Sequence, residues 1–419
     1  MELKNVTKAF SPEREGFSRL SADVFFEKTG KTRNYWIEFP AEHHDEISTS
    51  GNCWLILLSA MAALNGETVK IELPVDPYLL ENIKALRREW RALNKRWMIT
   101  GFDCPNLKPL ERSGQRTGAF FSGGIDSFYT LLRNDKEPND EGDATGSIDD
   151  LITVWGFDIP LDMPEEFAHL EEIIKNTARV FRKKHIVAIT NIRSFDDDFS
   201  GIWIPVGHSG SLGFVAYALQ KRFREIVIGS TVPYGKLKPF GSHSLTEGLM
   251  SSKALRVLHD GAIADRAEKT RRVAMSDEAL EIMHVCIRKE HEKNGGPAQL
   301  NCSACEKCVL TMAMLDIHGK KGKPANFDWS KYSIAAVESQ FVRPGPLLYL
   351  WTELRETARE HNRPDIASAV TKAIRRSQPF WIANFIERLI RKYFPLVTKN
   401  KKTFRKIKKA FYALFGMVA

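Results

Sequence analysis

Two stretches of the 419-residue chain carry residue types whose order and spacing could do chemistry. The first is Phe120-Phe121-Ser122-Gly123-Gly124-Ile125-Asp126-Ser127, which follows a short apolar run and opens an amphipathic one. It therefore reads as a strand turning into a helix. Adjacent glycines let the backbone bend tightly and bring N–H groups up to an anion. A helix starting near Asp126 points its positive end at the same place. Ser122 and Ser127 add hydroxyl donors, so Ser122, Gly123, Gly124, Ile125, Asp126 and Ser127 form a candidate phosphate-binding loop. A bare Ser-Gly-Gly would be a plain connection; the whole string in this setting favours an anion site. The second stretch holds Cys286, Cys302, Cys305 and Cys308, spaced C-x15-C-x2-C-x2-C. Two-residue gaps let thiolates converge on one ion, and four sulfurs complete the tetrahedron zinc prefers. Such a closed set is structural. Four thiolates also suit an iron–sulfur cluster, and unrelated buried thiols are the bland alternative.

The elements that would position these groups alternate. Candidate strands are Gly118–Phe121, Leu151–Phe157, His185–Thr190 and Glu225–Gly229, and candidate helices are Asp126–Arg133, Pro164–Phe181 and Ser209–Arg222. Apolar strands in β-α order predict a doubly wound parallel sheet, an α/β fold whose ligand edge lies at the strand C-termini. The acidic stretch Asp135 to Asp150 reads as an inserted loop. Before the sheet, residues 1–116 read as an α+β domain. It has a hairpin (Leu20–Glu27, Asn34–Phe39), a buried helix (Asn52–Leu64), a strand (Thr68–Leu73) and an amphipathic helix (Asp76–Arg96). Residues 117–327 form the expected nucleotide and metal domain, and 328–419 a helical region.

Composition bounds the rest. Hydrophobic residues at 43% and charged residues at 27% describe an ordinary globular chain, which argues against disorder and collagen-like repeats. The longest apolar run, Cys53 to Leu64, is far short of the roughly 20 residues that cross a bilayer. The first residues do not resemble a signal peptide, so a cytoplasmic location is the expectation. The net charge of +9 is confined to Ser377–Ala419, where ten Lys/Arg face one acid. A neutral body weakens any general affinity for nucleic acid. The tail reads as two amphipathic helices, Phe380–Phe394 and Lys399–Phe415, whose aromatic faces should pack on the body or on a partner.

Ser122 to Ser127 resembles the Ser-Gly-Gly-x-Asp-Ser loop of the ATP pyrophosphatase superfamily. The resemblance implies an adenine nucleotide alpha hydrolase-like fold, ATP with Mg²⁺ at the loop, and cleavage to AMP and pyrophosphate by way of an adenylated intermediate. One isolated cysteine followed by a tight C-x2-C-x2-C run is similar to 7-cyano-7-deazaguanine synthase, and to synthase-like proteins of bacterial antiphage operons. The resemblance spans about Gly118 to Leu315. It implies a ligase that joins a carboxylate, such as a 7-deazapurine, to ammonia or another acceptor. A protein acceptor from the same operon fits the extra segments. Asp158, after the second strand, sits where the superfamily contacts the nucleoside. Asp126, Lys236, Arg266 and Lys269 are the candidate catalytic residues. The three cations could stabilise charge developing on the α-phosphate, with Arg266 and Lys269 as an ordinary helix face the alternative. His208 begins a helix and could cap it or bind ligand. A tRNA-modifying sulfur transferase, with Cys104 as its nucleophile, and a non-enzymatic nucleotide-binding partner protein are competing readings. Contact of the tail with nucleic acid or a membrane is a further alternative.

Overall fold

The computed structural model describes residues 1–111, 114–135, 147–195, 203–238, 240–286, 301–343 and 346–393. Two compact units divide the chain, Met1–Asp265 and Arg266–Ala419.

The first unit runs β1 (Glu2–Phe10), β2 (Phe17–Phe26), β3 (Lys31–Pro40), α1 (Asn52–Asn65), β4 (Val69–Lys70), α2 (Pro77–Leu93), β5 (Phe102–Asp103), β6 (Arg116–Phe120), α3 (Ile125–Asn134), β7 (Asp150–Trp155), α4 (Pro164–Val180), β8 (Lys184–Thr190), α5 (His208–Ala218), β9 (Phe223–Gly229) and β10 (Arg256–Asp260). All these strands share one mostly parallel sheet in the order β10-β9-β6-β7-β8-β3-β2-β1-β4-β5. From β10 to β8 neighbouring strands are parallel. Residues 1–116 are thus not a separate domain: β3 pairs antiparallel with β8 and continues the sheet. That junction has two register pairs, Ile37↔Thr190 and Glu38↔Ile189. Asn191 lengthens it by standing in for a strand backbone. Its Oδ1 accepts from Trp36 N–H at 2.9 Å and its Nδ2 donates to Asn34 O at 2.9 Å.

Alternation along the strands explains the layers. In β8, Ile186 and Ala188 join the large core built with α1 and α5, while Val187 and Ile189 pack with Trp155 and Phe167 of α4. Helices therefore cover both faces, as near-continuous apolar strands require. The buried helix expected at Asn52–Leu64 is α1, with Gly66 as a left-handed C-cap at φ 67°. In α2, Asp76 caps the N-terminus by accepting from Leu79 N–H at 2.8 Å.

Charges pin the N-terminal ends of the central strands. Asp150, fully buried, accepts from Arg116 Nε at 3.0 Å and from Arg222 Nε at 2.6 Å, and Arg222 Nη1 reaches Glu46 at 2.8 Å. Removing one partner of a buried charge network leaves the others unpaired in low dielectric, at about 3–5 kcal/mol. Asp150→Ala should therefore lower the unfolding midpoint sharply in a denaturant titration. A shift below about 1 kcal/mol, the range of exposed pairs, would show that the network is solvated.

The second unit is helical: α6 (Arg266–Val273), α7 (Asp277–Ile282), α8 (Glu306–Ile317), α9 (Ile334–Ser339), α10 (Pro346–Glu360) and α11 (Pro364–Tyr393). Asn362, at φ 54°, turns α10 into α11. The cysteines lie in this unit with the C-terminal helices, so the boundary expected between 327 and 328 is not where the chain divides. The helix expected at Phe380–Phe394 is the end of a longer one, since α11 runs from Pro364 through Pro379 to Tyr393. Ser377 and Trp381 tie this stretch down. Ser377 Oγ accepts from Val342 N–H at 2.9 Å, and Trp381 Nε1 donates to Val342 O at 2.8 Å. The second expected tail helix, Lys399–Phe415, lies outside the described residues. No helix among the described residues is long and apolar enough to cross a membrane.

Candidate functional site

The loop Ser122–Ser127 leaves β6, flanked in the sheet by β9 and β7, and enters α3. Gly123 has φ 76°, a left-handed conformation that favours glycine. Gly124 is the N-cap of α3 without a side-chain cap, so the first helical amides keep their capacity for an outside acceptor. Phe121 N–H donates to Ile152 O at 2.9 Å, and Thr153 Oγ1 donates to Phe121 O at 3.1 Å. These bonds hold the loop's root to β7. Ser122 is exposed and Asp126 half-buried. Ser127 differs from expectation: its hydroxyl donates to Gly124 O at 2.9 Å, and the residue is 7 % exposed, so it braces the turn. Gly229, ending β9, brings the neighbouring strand against α3; a Cβ there would lie 3.2 Å from Asp126 O.

The C-terminal edge of the sheet continues at β7. Gly156 has φ 101°, and a Cβ there would sit 1.9 Å from Thr190 O, so no other residue fits. The turn presents Phe157 and, exposed, Asp158. Arg193 donates to Phe157 O and lies 4.1 Å from the Trp203 ring centroid. Trp203 meets Phe157 at 5.1 Å and His208 at 5.4 Å, both edge-on. Burial holds His208 below the ordinary imidazole value, while Asp158 and Glu247 pull the other way. This grouping of Phe157, Arg193 and Trp203 was not visible in the sequence, because no local spacing links its members.

Lys236 closes a short 3-10 turn, Tyr234–Lys236, beyond the ends of β9 and β10; Tyr234 N–H donates to Ala262 O at 2.8 Å. Lys236 is exposed. Arg266 and Lys269 open the second unit, in α6. Lys269 is 1 % exposed and shares the buried side of α6 with Ala267, Thr270 and Val273, so it is an interior residue. Cys104 follows β5, at the opposite margin of the sheet from β6, and burial pushes its thiol up to about 11. That position and protonation state do not suit a nucleophile beside the loop. A cleft of about 440 Å³ near Ser48, Ser50 and Gln220 lies at the other end of the strands. Its Gln220 is already engaged with Ser48, Ser50 and Asn52.

In the second unit, Cys286, Cys302, Cys305 and Cys308 converge with all four sulfurs within 4.8 Å of one another. Observed separations are 3.8 Å for Cys286–Cys305, 3.9 Å for Cys302–Cys308 and 3.4 Å for Cys305–Cys308. A tetrahedral ion with Zn–S of about 2.3 Å needs sulfurs about 3.8 Å apart. The set therefore fits one metal ion such as zinc and leaves no room for a multi-iron cluster. Cys305 caps α8, and its N–H donates to Cys302 Sγ at 3.3 Å. Sulfur contacts, Cys286 first, lower the Cys302 thiol and bring Cys305 down to about 6. The shell is braced by Asn301, whose Oδ1 accepts from Val285 N–H at 2.9 Å and whose Nδ2 donates to Met283 O at 3.0 Å. Ser303, at φ 58°, accepts from Asp328 N–H at 2.8 Å. His284, expected at the surface, is half-buried, and His291 lies outside the described residues.

Comparison of the chain with protein-family descriptions, curated proteins and solved structures gives no match.

Proposed function

We propose that the protein is an ATP-dependent ligase that adenylates a carboxylate and transfers the acyl group to a nitrogen nucleophile. The observation that carries this reading is the glycine-bent turn Ser122–Ser127, which leads from a central parallel strand into an uncapped helix. Such a terminus suits phosphate, and the string resembles the ATP pyrophosphatase loop and sits in a mostly parallel sheet. On this reading the loop holds the β- and γ-phosphates of ATP with Mg²⁺. The carboxylate displaces pyrophosphate at the α-phosphorus, Lys236 offsets charge there, and the nitrogen then displaces AMP. Asp158 and the Arg193–Trp203 stack face the nucleoside or the acyl group. No covalent bond to the protein is needed; positioning and electrostatics suffice. The four cysteines hold a structural zinc. The substrate class suggested by the resemblance is a 7-deazapurine carboxylate, joined to ammonia or to a protein acceptor, in an antiphage setting and in the cytoplasm.

The test is ATP–pyrophosphate exchange by the full chain with a panel of carboxylates, followed by mass spectrometry of products. Exchange that depends on one carboxylate, 7-carboxy-7-deazaguanine among those tried, is the expected result. Pyrophosphate release that ignores every carboxylate would overturn the reading. The sulfur-transferase alternative is less well supported, because Cys104 follows β5, far across the sheet from β6, and burial raises its thiol.

A further inference from the structure

Residues 241–260 hold a group of polar side chains that the reading above does not use. Ser242, His243 and Glu247 are 2 %, 2 % and 0 % exposed. Glu247 begins the 3-10 turn Glu247–Met250, and its Oε2 lies 2.5 Å from His259 Nδ1. His259 is the penultimate residue of β10, level with Ile228 of β9. Its side chain is 5 % exposed. In the neutral ring a carboxylate on Nδ1 fixes the tautomer: Nδ1–H donates to Glu247 and Nε2 carries the lone pair. His243 is set the opposite way. Its Nδ1 accepts from Leu245 N–H at 3.1 Å, so the neutral ring carries its proton on Nε2. Burial, with His259 beside it, holds His243 below the ordinary imidazole value.

These side chains are incomplete. Glu247 Oε1, His243 Nε2, Ser242 Oγ and Ser244 Oγ are buried and have no hydrogen-bond partner among the described residues. A buried polar atom left unpaired costs about 1–3 kcal/mol, and folded interiors hold few of them. One acceptor, one N–H donor and two hydroxyls fall within a six-residue stretch, and together they offer the polar contacts a small polar ligand uses. The place is suitable: Gly241 N–H donates to Ile204 O at 2.6 Å, which brings the stretch beside Trp203 and His208. One strand, β9, separates β10 from β6, so the group stands roughly 10 Å along the same sheet edge from the loop at about 4.8 Å per strand.

We infer that this group of side chains takes the nitrogen nucleophile, ammonia or a primary amine, and that His259 is the base that receives its proton. The inference rests on the ligase reading. An N–H of the nucleophile donates to Glu247 Oε1. As the C–N bond forms, the nitrogen becomes strongly acidic and one proton passes to His259 Nε2. The C–O bond to the phosphate breaks, and AMP leaves with that electron pair. Amine and acyl adenylate thus become amide, AMP and an imidazolium that Glu247 stabilises. His243 Nε2–H and the serine hydroxyls are donors for the acyl oxygen as it gains charge.

The full chain, labelled with ¹⁵N-histidine, is titrated with methylammonium chloride against sodium chloride at equal ionic strength. A saturable shift of the His259 Nε2 resonance is expected in the native protein. In Glu247→Gln both this shift and the Nδ1–H tautomer signature should be lost. In His259→Gln, carboxylate-dependent ATP–pyrophosphate exchange should stay within about twofold, while formation of the nitrogen-linked product falls about 10²–10⁴-fold. No shift in the native protein overturns the inference and leaves these polar atoms to ordered water. Exchange and product falling together in a folded His259→Gln overturns it as well. A native shift without any exchange upholds the amine site and overturns the ligase reading.

Discussion

Cys305→Ser is expected to release the metal and unravel the region around Cys286 and the start of α8. Native protein should carry about one zinc per chain, since four sulfurs offer one closed site. Structural zinc contributes about 10–16 kcal/mol of apparent binding free energy in small zinc domains. Losing one of four ligands should therefore cost several kcal/mol, on the order of a whole domain's stability. Cys305 is doubly placed: its sulfur is one of the four that could hold the ion and its backbone caps α8. Serine could keep the cap and not the metal bond, so the variant isolates the ion's contribution. Metal analysis by mass spectrometry and thermal unfolding followed by circular dichroism read the two effects. Freshly prepared protein with neither zinc nor iron, or a variant that melts with the native protein, would defeat the assignment.

The second large effect belongs to Asp126. On the ligase reading its carboxylate would hold the Mg²⁺ that offsets phosphate charge, so Asp126→Ala should reduce AMP formation by about 10²–10³-fold, the range for loss of one transition-state contact. Its cost to stability should be small: an acid in the first turn of a helix contributes about 0.3–1 kcal/mol. The side chain is half-buried, and the turn is braced independently by the Ser127 hydroxyl on Gly124 O. AMP measured by chromatography with a carboxylate present, beside an unchanged circular dichroism spectrum, gives the result. Unaltered turnover would remove the loop from the mechanism.

The sequence disclosed local features and concealed non-local ones. The strand–loop–helix at Arg116–Asn134 is contiguous, with apolar, glycine and amphipathic signals in order, so its position was legible. The cysteines are likewise readable because their spacing is short and their chemistry narrow. The hairpin of β2 and β3 was signalled by Lys28–Lys31. β1 was not, because only Leu3 of its residues is buried and its pattern is that of polar chain. The joining of β3 to β8 depends on residues far apart in the chain and has no local signature, and this is why residues 1–116 read as a separate domain. Lys269 reads as a cation among cations, yet it is interior; which side of a short polar helix turns inward is a tertiary matter. Glu247, His243 and His259 are ordinary polar residues in sequence, and only the fold brings them to one place.

The antiparallel seam has a consequence for synthesis on the ribosome. Thr190 Oγ1 donates to Trp36 O across a separation of 154 residues. At about 5–20 residues per second, roughly 8–30 s pass between the emergence of one partner and the other. Through that interval the newborn β-meander can close on itself, but the outer margin of β3 offers unsatisfied amides to any passing strand. The nascent chain thus has a window of stickiness that ends when β8 arrives. A ribosome that pauses before Lys184 holds that window open.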